Sequence, residues 1–349
     1  MKEKVNILVT GGGGPGYPLI FKGLRASTRY QARIVAGDLN PYAANMYIPE
    51  WVDVAYRLPP NTSPQFLEAL YWIVKREGID FLLSAVDEEL SLISENADNF
   101  AALGCKTLLP TAQALEAAYD KEATCRLLRD AIPMPRTVIY EEGMDLASTL
   151  ESFGTKVVIK ACRTRGNRFN YPADCLDDLR FYAGKIARAG KRCMIQEFVE
   201  GAEFNVSLMR DRDGRMLYCV CREKMDPPLL RPNTSAGLIR RIPELERLAM
   251  DAVEILGLAP GTSNVEFLQS STGAFFLIEV NGGRHAAQDM NLVHSGINIP
   301  EMLLDLAFDK SVEPVADSVI KEGTFCLKYT DEIIIDHGKL KATLREVPL

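Results

Sequence analysis

Residues 264–284, NVEFLQSSTGAFFLIEVNGGR, can form little other than an antiparallel hairpin. Two runs rich in Val, Ile, Leu and Phe flank Ser270-Ser271-Thr272-Gly273, whose side chains favour a tight turn. A turn centred between Ser271 and Thr272 sets Glu266 opposite Leu277 and Glu279 opposite Asn264. The strand period of two then puts Glu266, Glu279 and Asn281 on one face, and Val265, Phe267, Phe276, Ile278 and Val280 on the other. The apolar face belongs to a core. On the polar face the two carboxylates are diagonal neighbours, roughly 5–8 Å apart at Cβ, a spacing that suits a hard cation between them. Acids so placed either hold something positive or point at water, and the hairpin alone leaves both readings open.

The 349 residues suffice for two or three domains, and 47% hydrophobic with 25% charged residues is the composition of a soluble globular chain. A net charge of −7 argues against a general nucleic-acid or anionic-membrane binder. MKEKVNILVT passes directly from charge into a short apolar strand, and no run approaches a membrane span, so a cytoplasmic protein is expected. Eight cysteines without a CxxC pair read as reduced, packed thiols.

Residues 4–110 alternate short apolar strands with helical patterns, the signature of an open parallel α/β sheet. Its first turn, TGGGGPG, places Gly11, Gly13 and Gly16 in the GxGxxG dinucleotide spacing, with Asp38 after the second strand. Pro15 removes one backbone N–H from that loop, and Tyr17 and Pro18 stand where a phosphate-binding P-loop needs Lys and Ser/Thr. The glycines therefore fit a dinucleotide site, a loop for a smaller anion, or a structural turn. A helical stretch over 111–130 ends at Ile132-Pro133-Met134-Pro135, which marks a boundary. A smaller α/β unit follows, interrupted by the polar loop CRTRGNRFNY with Arg163, Arg165 and Arg168. The chain closes with two strand-like runs, FCLKYTDEIIID and LKATLREV.

Lys160 ends the apolar strand Val157-Val158-Ile159, where a lysine is either an edge device or a functional cation. Lys121 alone is an ordinary helix lysine. Gln196-Glu197-Phe198-Val199 leaves a strand into a short apolar connection able to offer backbone groups to a nucleobase edge, and Glu203 follows within reach of ribose hydroxyls. Each signal is weak by itself. Their order, two lysines, QEFVEGAEF, NVEF, then IEVNGGR, resembles the ATP-grasp superfamily of carboxylate–amine ligases, most of all the branch of the carbamoyl phosphate synthetase large chain.

That resemblance implies an α/β fold, α+β in its C-terminal part. It consists of a Rossmann-like domain over 1–112, an ATP-grasp domain over 113–311 with a lid at about 136–197, and C-terminal strands over 312–349 packing on the ATP-grasp domain. It further implies ATP and Mg²⁺ (or Mn²⁺) as cofactors. Lys121 and Lys160 would contact phosphates; Gln196, Glu197, Phe198 and Val199 would hold adenine, and Glu203 ribose; Glu266, Glu279 and Asn281 would bind metal; Arg284 would face the transferred phosphoryl group. Lys160 and Arg284 are then the catalytic residues. The implied partners are a small carboxylate and an amine, with no nucleic acid, no membrane, and a homodimer as a family-level expectation. The donor set agrees with Mg²⁺ chemistry, which takes one or two carboxylates plus phosphate oxygens. CRTRGNRFNY departs from the small, glycine-rich loop of relatives, which keeps open a non-catalytic ATP-binding or regulatory relative beside the ligase. A nicotinamide oxidoreductase built on the glycine turn would leave the lysines and the hairpin acids unexplained.

Overall fold

The computed structural model describes all residues except 155, 165, 167, 226–235, 287, 288, 330 and 349, and the side chain of Asn291. Arg165 and the loop residues 226–235 thus lie outside the described residues.

The first part runs β1 (Glu3–Thr10), α1 (Tyr17–Arg25), β2 (Tyr30–Asp38), β3 (Val54–Arg57), α2 (Gln65–Glu77), β4 (Phe81–Ser84), α3 (Asp87–Glu95) and α4 (Ala97–Ala102). Its strands are parallel in the order β3-β2-β1-β4. Ile7, Leu8 and Val9 are all fully buried, as expected of a strand covered on both faces. The helical pattern beyond Glu88 is two helices, because the Asn96 amide bonds back to the Leu92 carbonyl at 2.9 Å where the first one ends.

A similar break matters more downstream. The helical stretch over 111–130 divides into α5 (Ala112–Tyr119) and α6 (Lys121–Leu128). The Asp120 carboxylate accepts from the N–H groups of Glu122 and Ala123 and starts a new helix there. Lys121 is consequently the first residue of a helix, anchored by its N–H to the Cys162 carbonyl at 3.0 Å, rather than a mid-helix surface lysine.

The small unit contains β5 (Thr137–Ile139), α7 (Leu146–Phe153), β6 (Val157–Ala161), β7 (Asn170–Ala173), α8 (Leu176–Arg188) and β8 (Cys193–Glu197). Its antiparallel sheet has the order β5-β8-β6-β7, with Leu179, Ala183 and Ile186 of α8 in its core. The last part has β9 (Gly201–Arg210), β10 (Met216–Lys224), β11 (Ala236–Arg240), α9 (Pro243–Ile255), β12 (Gly261–Ser270), β13 (Phe275–Gly282), α10 (Met290–His294), α11 (Ile299–Ala307) and β14 (Phe325–Leu327). Its six-stranded antiparallel sheet is ordered β13-β12-β9-β10-β11-β14, with α9 over its core face.

The hairpin β12–β13 corrects the expected register. The turn is one residue longer, with Ser270 N–H bonded to the Ala274 carbonyl at 2.9 Å and Gly273 at φ 87°. A bulge between Glu266 and Phe267 then shifts the pairing again. Glu266 lies directly opposite Glu279, and Asn264 opposite Asn281. Beyond the bulge the faces exchange: Phe275 and Leu277 join Val265, Phe267 and Val280 in the core, while Phe276 and Ile278 leave it.

The C-terminal residues also differ from expectation. Among the described residues of the run FCLKYTDEIIID, only Phe325–Leu327 form a strand, and Asp336 at its end caps α12 (His337–Thr343) through the N–H groups of Gly338 and Lys339. β15 (Leu344–Glu346) then pairs in parallel with β3, so residues 312–349 do not all pack on the ATP-grasp sheet. Arg345 secures it at 3.0 Å from Glu77.

Candidate active site

A cleft of about 1320 Å³ runs between the three sheets. Lys121, Lys160, Gln196, Glu197, Phe198, Val199, Glu203, Glu266, Glu279, Asn281 and Arg284 all line it, so the residues to which the resemblance gives a role face one cavity.

The floor is the polar face of β13, β12, β9 and β10. Lys121 Nζ lies 3.0 Å from Glu279 Oε1 and donates to the Thr164 carbonyl at 3.0 Å. Burial works against the Glu279 carboxylate, but the Lys121 ammonium, with Lys160 and Arg284 behind it, holds its pKa below the ordinary value. Lys160 enters from β6 and is only 8% exposed. Burial, then the neighbouring Lys121, pulls its pKa down to about 8 against the pull of Glu279.

At the hinge, Gln196 is buried and donates through Nε2 to Thr137 Oγ1 at 2.9 Å, which leaves its amide oxygen as the free acceptor. The Glu197 carboxylate turns outward to Arg136 at 3.4 Å. Phe198, with Lys156 over its ring at 3.8 Å, and Val199 lie in the connection between β8 and β9, outside both ladders. Gly201 brings that connection against β12, where a Cβ would fall 1.7 Å from the Gln269 carbonyl oxygen. The bulge presents Ile278, which the uncorrected hairpin register assigned to the core, together with Leu268 to the same end of the cleft as an apolar wall.

At the opposite end, Arg284 donates to Asn281 Oδ1 at 2.6 Å and pairs with Asp87 at the start of α3. His285 is buried, its Nε2 3.2 Å from the Gly16 carbonyl and its ring edge-on to Tyr17. The glycine turn closes on itself: Gly12 donates to the Gly37 carbonyl, Gly14 to that of Gly11, and Gly13 to Asp38 Oδ2 at 2.8 Å. Three successive N–H groups are thereby occupied within the protein instead of converging on a pyrophosphate. Arg163 pairs with Glu116 at 2.5 Å, and Arg168, which lines the cleft, with Glu88 at 3.4 Å.

Several residues escaped sequence reasoning. Lys224 pairs with Glu203 and with Glu266, the latter at 2.8 Å. Asn205 bonds Asn264, and Arg222 donates to Asn205 at 2.6 Å while pairing with Asp289, both ions fully buried. Asp289 also accepts from Ser207 and from the Ala286 N–H, each at 2.8 Å. The register of β9 and β10 against β12 was the signal that could have found them, since Glu203, Asn205, Arg222 and Lys224 alternate toward the same face.

Two facing carboxylates, a carboxamide and two ammonium groups suit a phosphate-bound hard cation. Among the described residues no cluster of three or more His, Cys, Asp or Glu side chains that could hold a metal gathers. The parallel sheet, small antiparallel lid and larger antiparallel sheet around this cleft define an ATP-grasp architecture. The chain belongs to the ATP-grasp superfamily: its residues 118–285 match the ATP-grasp domain, and residues 7–108 match the PylC-like N-terminal domain. It is 23% identical over 309 residues to the carbamoyl phosphate synthase large chain of Methanosphaerula palustris, covering 84% of this chain and 28% of that one. It is 25% identical over 204 residues to a D-alanine–D-alanine ligase of Chromohalobacter salexigens, covering 53% and 63% respectively. The chain thus spans less than two thirds of the length of either relative. The biotin carboxylase domain dimer of Hydrogenobacter thermophilus 2-oxoglutarate carboxylase, solved with MgADP, ADP and bicarbonate, shares the fold. It has a TM-score of 0.71 and 15% identity, over 92% of this chain and 73% of that one.

Proposed function

We propose that this protein is an ATP-dependent carboxylate–amine ligase. The observation that carries the reading is the direct opposition of Glu266 and Glu279 on the cleft floor, with Lys121 on Glu279 and Lys160 beside them. Adenine sits between the 196–199 connection and the Leu268–Ile278 wall, and Glu203 receives the ribose. Glu266, Glu279 and Asn281 would hold Mg²⁺, which would supply neutralisation of phosphate charge, and Lys121 and Lys160 would place the phosphates. Arg284, fixed by Asp87 and Asn281, aims its guanidinium at the end of the cleft where the phosphoryl group departs. The acid substrate takes the γ-phosphoryl group to give an acyl phosphate and ADP. The amine then attacks the acyl carbon, and phosphate leaves as the amide forms.

The substrate end lies between Gly13, Asp87, Glu88 and Arg284, where the pairs Asp87–Arg284 and Glu88–Arg168 present both charge signs. An amino acid, with its own carboxylate and ammonium, fits that pattern, and the D-alanine–D-alanine ligase relative supports it. The homodimer belongs to the same reading, supported by the dimeric carboxylase neighbour, and is checked by sedimentation. No described helix is long and apolar enough to cross a membrane.

The test is phosphate release with MgATP over paired amino acids, small carboxylates and amines, bicarbonate included. One acid–amine pair is expected to give stoichiometric ADP, and Glu266→Gln or Glu279→Gln to abolish it with unchanged circular dichroism. ADP release unaffected by either substitution overturns the metal assignment. MgATP that stabilises the fold without any turnover identifies a nucleotide-binding relative instead.

A further inference from the structure

Lys224 ends β10 directly opposite Glu203 on β9. Its ammonium does not stop at that partner. It reaches across β9 to Glu266 Oε2 at 2.8 Å, the acid that itself faces Glu279. The three side chains are only 12%, 11% and 19% exposed, so their charges are poorly screened by water. A lysine with a purely structural task would be satisfied by Glu203, its facing partner; the extension to Glu266 ties it to the metal end of the cleft. The floor then sets the carboxyls of Glu203, Glu266 and Glu279 against the ammonium groups of Lys121, Lys160 and Lys224, and burial raises the Glu203 pKa to about 7, so no negative charge is in surplus, while Arg284 is compensated by Asp87.

We propose that Lys224 is a positioning residue that holds Glu203 and Glu266 as one neutralised pair, so that the floor takes a divalent cation together with nucleotide and refuses the free ion. The inference rests on the nucleotide reading above. A free dication must displace the Lys224 ammonium from Glu266 on a floor with no negative charge to spare. With nucleotide, the phosphates bring the missing negative charge, and Glu266 exchanges the ammonium for the metal. Glu203 keeps Lys224 in place and stays aligned for the ribose. No bond is made or broken by Lys224; it decides the form in which the metal arrives.

The experiment is Mn²⁺ binding by electron paramagnetic resonance on the full chain, with and without a non-hydrolysable ATP analogue. Without nucleotide, Lys224→Met and Lys224→Gln are expected to bind Mn²⁺ roughly tenfold tighter than the native protein, because each leaves one uncompensated carboxylate on the floor. Lys224→Arg is expected to restore native behaviour, and Glu203→Gln, which leaves the ammonium to Glu266 alone, not to tighten free Mn²⁺ binding. Equal free-Mn²⁺ affinities in the native protein and a folded Met or Gln variant overturn the proposal. So does tightening by Glu203→Gln, which decides the matter even where the neutral Lys224 variants do not fold. Native protein that gains no Mn²⁺ binding from the analogue overturns the nucleotide reading instead, a distinct result.

Discussion

Replacing His285 with glutamine should flatten the acid limb of this protein's stability. The imidazole is buried, 5% exposed, between Tyr17 and the Gly16 carbonyl, and burial pushes its pKa from 6.5 down to about 4 against the pull of Asp289. Arg284 and Lys328 press in the same direction as burial. In the unfolded chain the ring takes a proton below its ordinary pKa; in the folded chain it stays neutral until about pH 4. Its contribution to stability is therefore complete above pH 6.5 and lost as the pH falls from 6.5 toward 4. At ~1.4 kcal/mol per pH unit, that window amounts to about 3 kcal/mol. Glutamine keeps a donor for the Gly16 carbonyl and does not titrate. Urea unfolding of both proteins at a series of pH values should show the native protein losing about 3 kcal/mol more than His285→Gln between neutrality and the acid end. Stability curves that stay parallel through the window would refute a neutral, buried His285.

Lys160 supplies a second pH dependence, at the alkaline end. Its ammonium loses the proton as the pH rises through about 8, so nucleotide affinity measured by calorimetry should weaken above that point, and Lys160→Met should bind nucleotide weakly at every pH. Arg222→Met leaves Asp289 charged and buried without its cation and should cost roughly 3–5 kcal/mol in chemical denaturation, much of it regained in the double variant with Asp289→Leu. Gly201→Ala forces its Cβ onto the Gln269 carbonyl and must push the 198–200 connection away from β12; KM for ATP should rise more than kcat falls, and equal changes in the two would argue against a nucleobase at that connection.

Element type was legible wherever period and punctuation agreed: β1, β2, β4, β5, β6, β8 and the hairpin itself stand where the apolar pattern puts them, while the short strands β3 and β7 carry too few apolar residues to stand out. What failed were one-residue effects. The turn at Gly273 and the bulge after Glu266 each shift the register by one, and a shift of one exchanges the faces of everything beyond it, which is why Ile278 moved from the core to the cleft. Asp120 reads as a helix-surface acid until its side chain is seen capping α6, and only then does Lys121 point inward. Lys224, Asn205 and Arg222 carry no local signature at all. Their roles depend on which strand lies beside which, and β9 is separated from its neighbour β12 by fifty residues of chain. The site residues carried by resemblance face one cleft because strand alternation and helix caps are local, while the ion pairs that join them are not.

The strand β15 has a consequence for how this molecule folds. Arg345 and Tyr56, in contact, are 289 positions apart, so the outer edge of the first sheet is sealed by residues from the far end of the sequence. Until that strand arrives, β3 presents an unpaired row of amides, a template for strands of another chain. Closing so long a loop is slow. Deleting residues 344–346 should therefore cost solubility during refolding before it costs any nucleotide affinity, because those residues seal the sheet's rim and none of them lines the cleft.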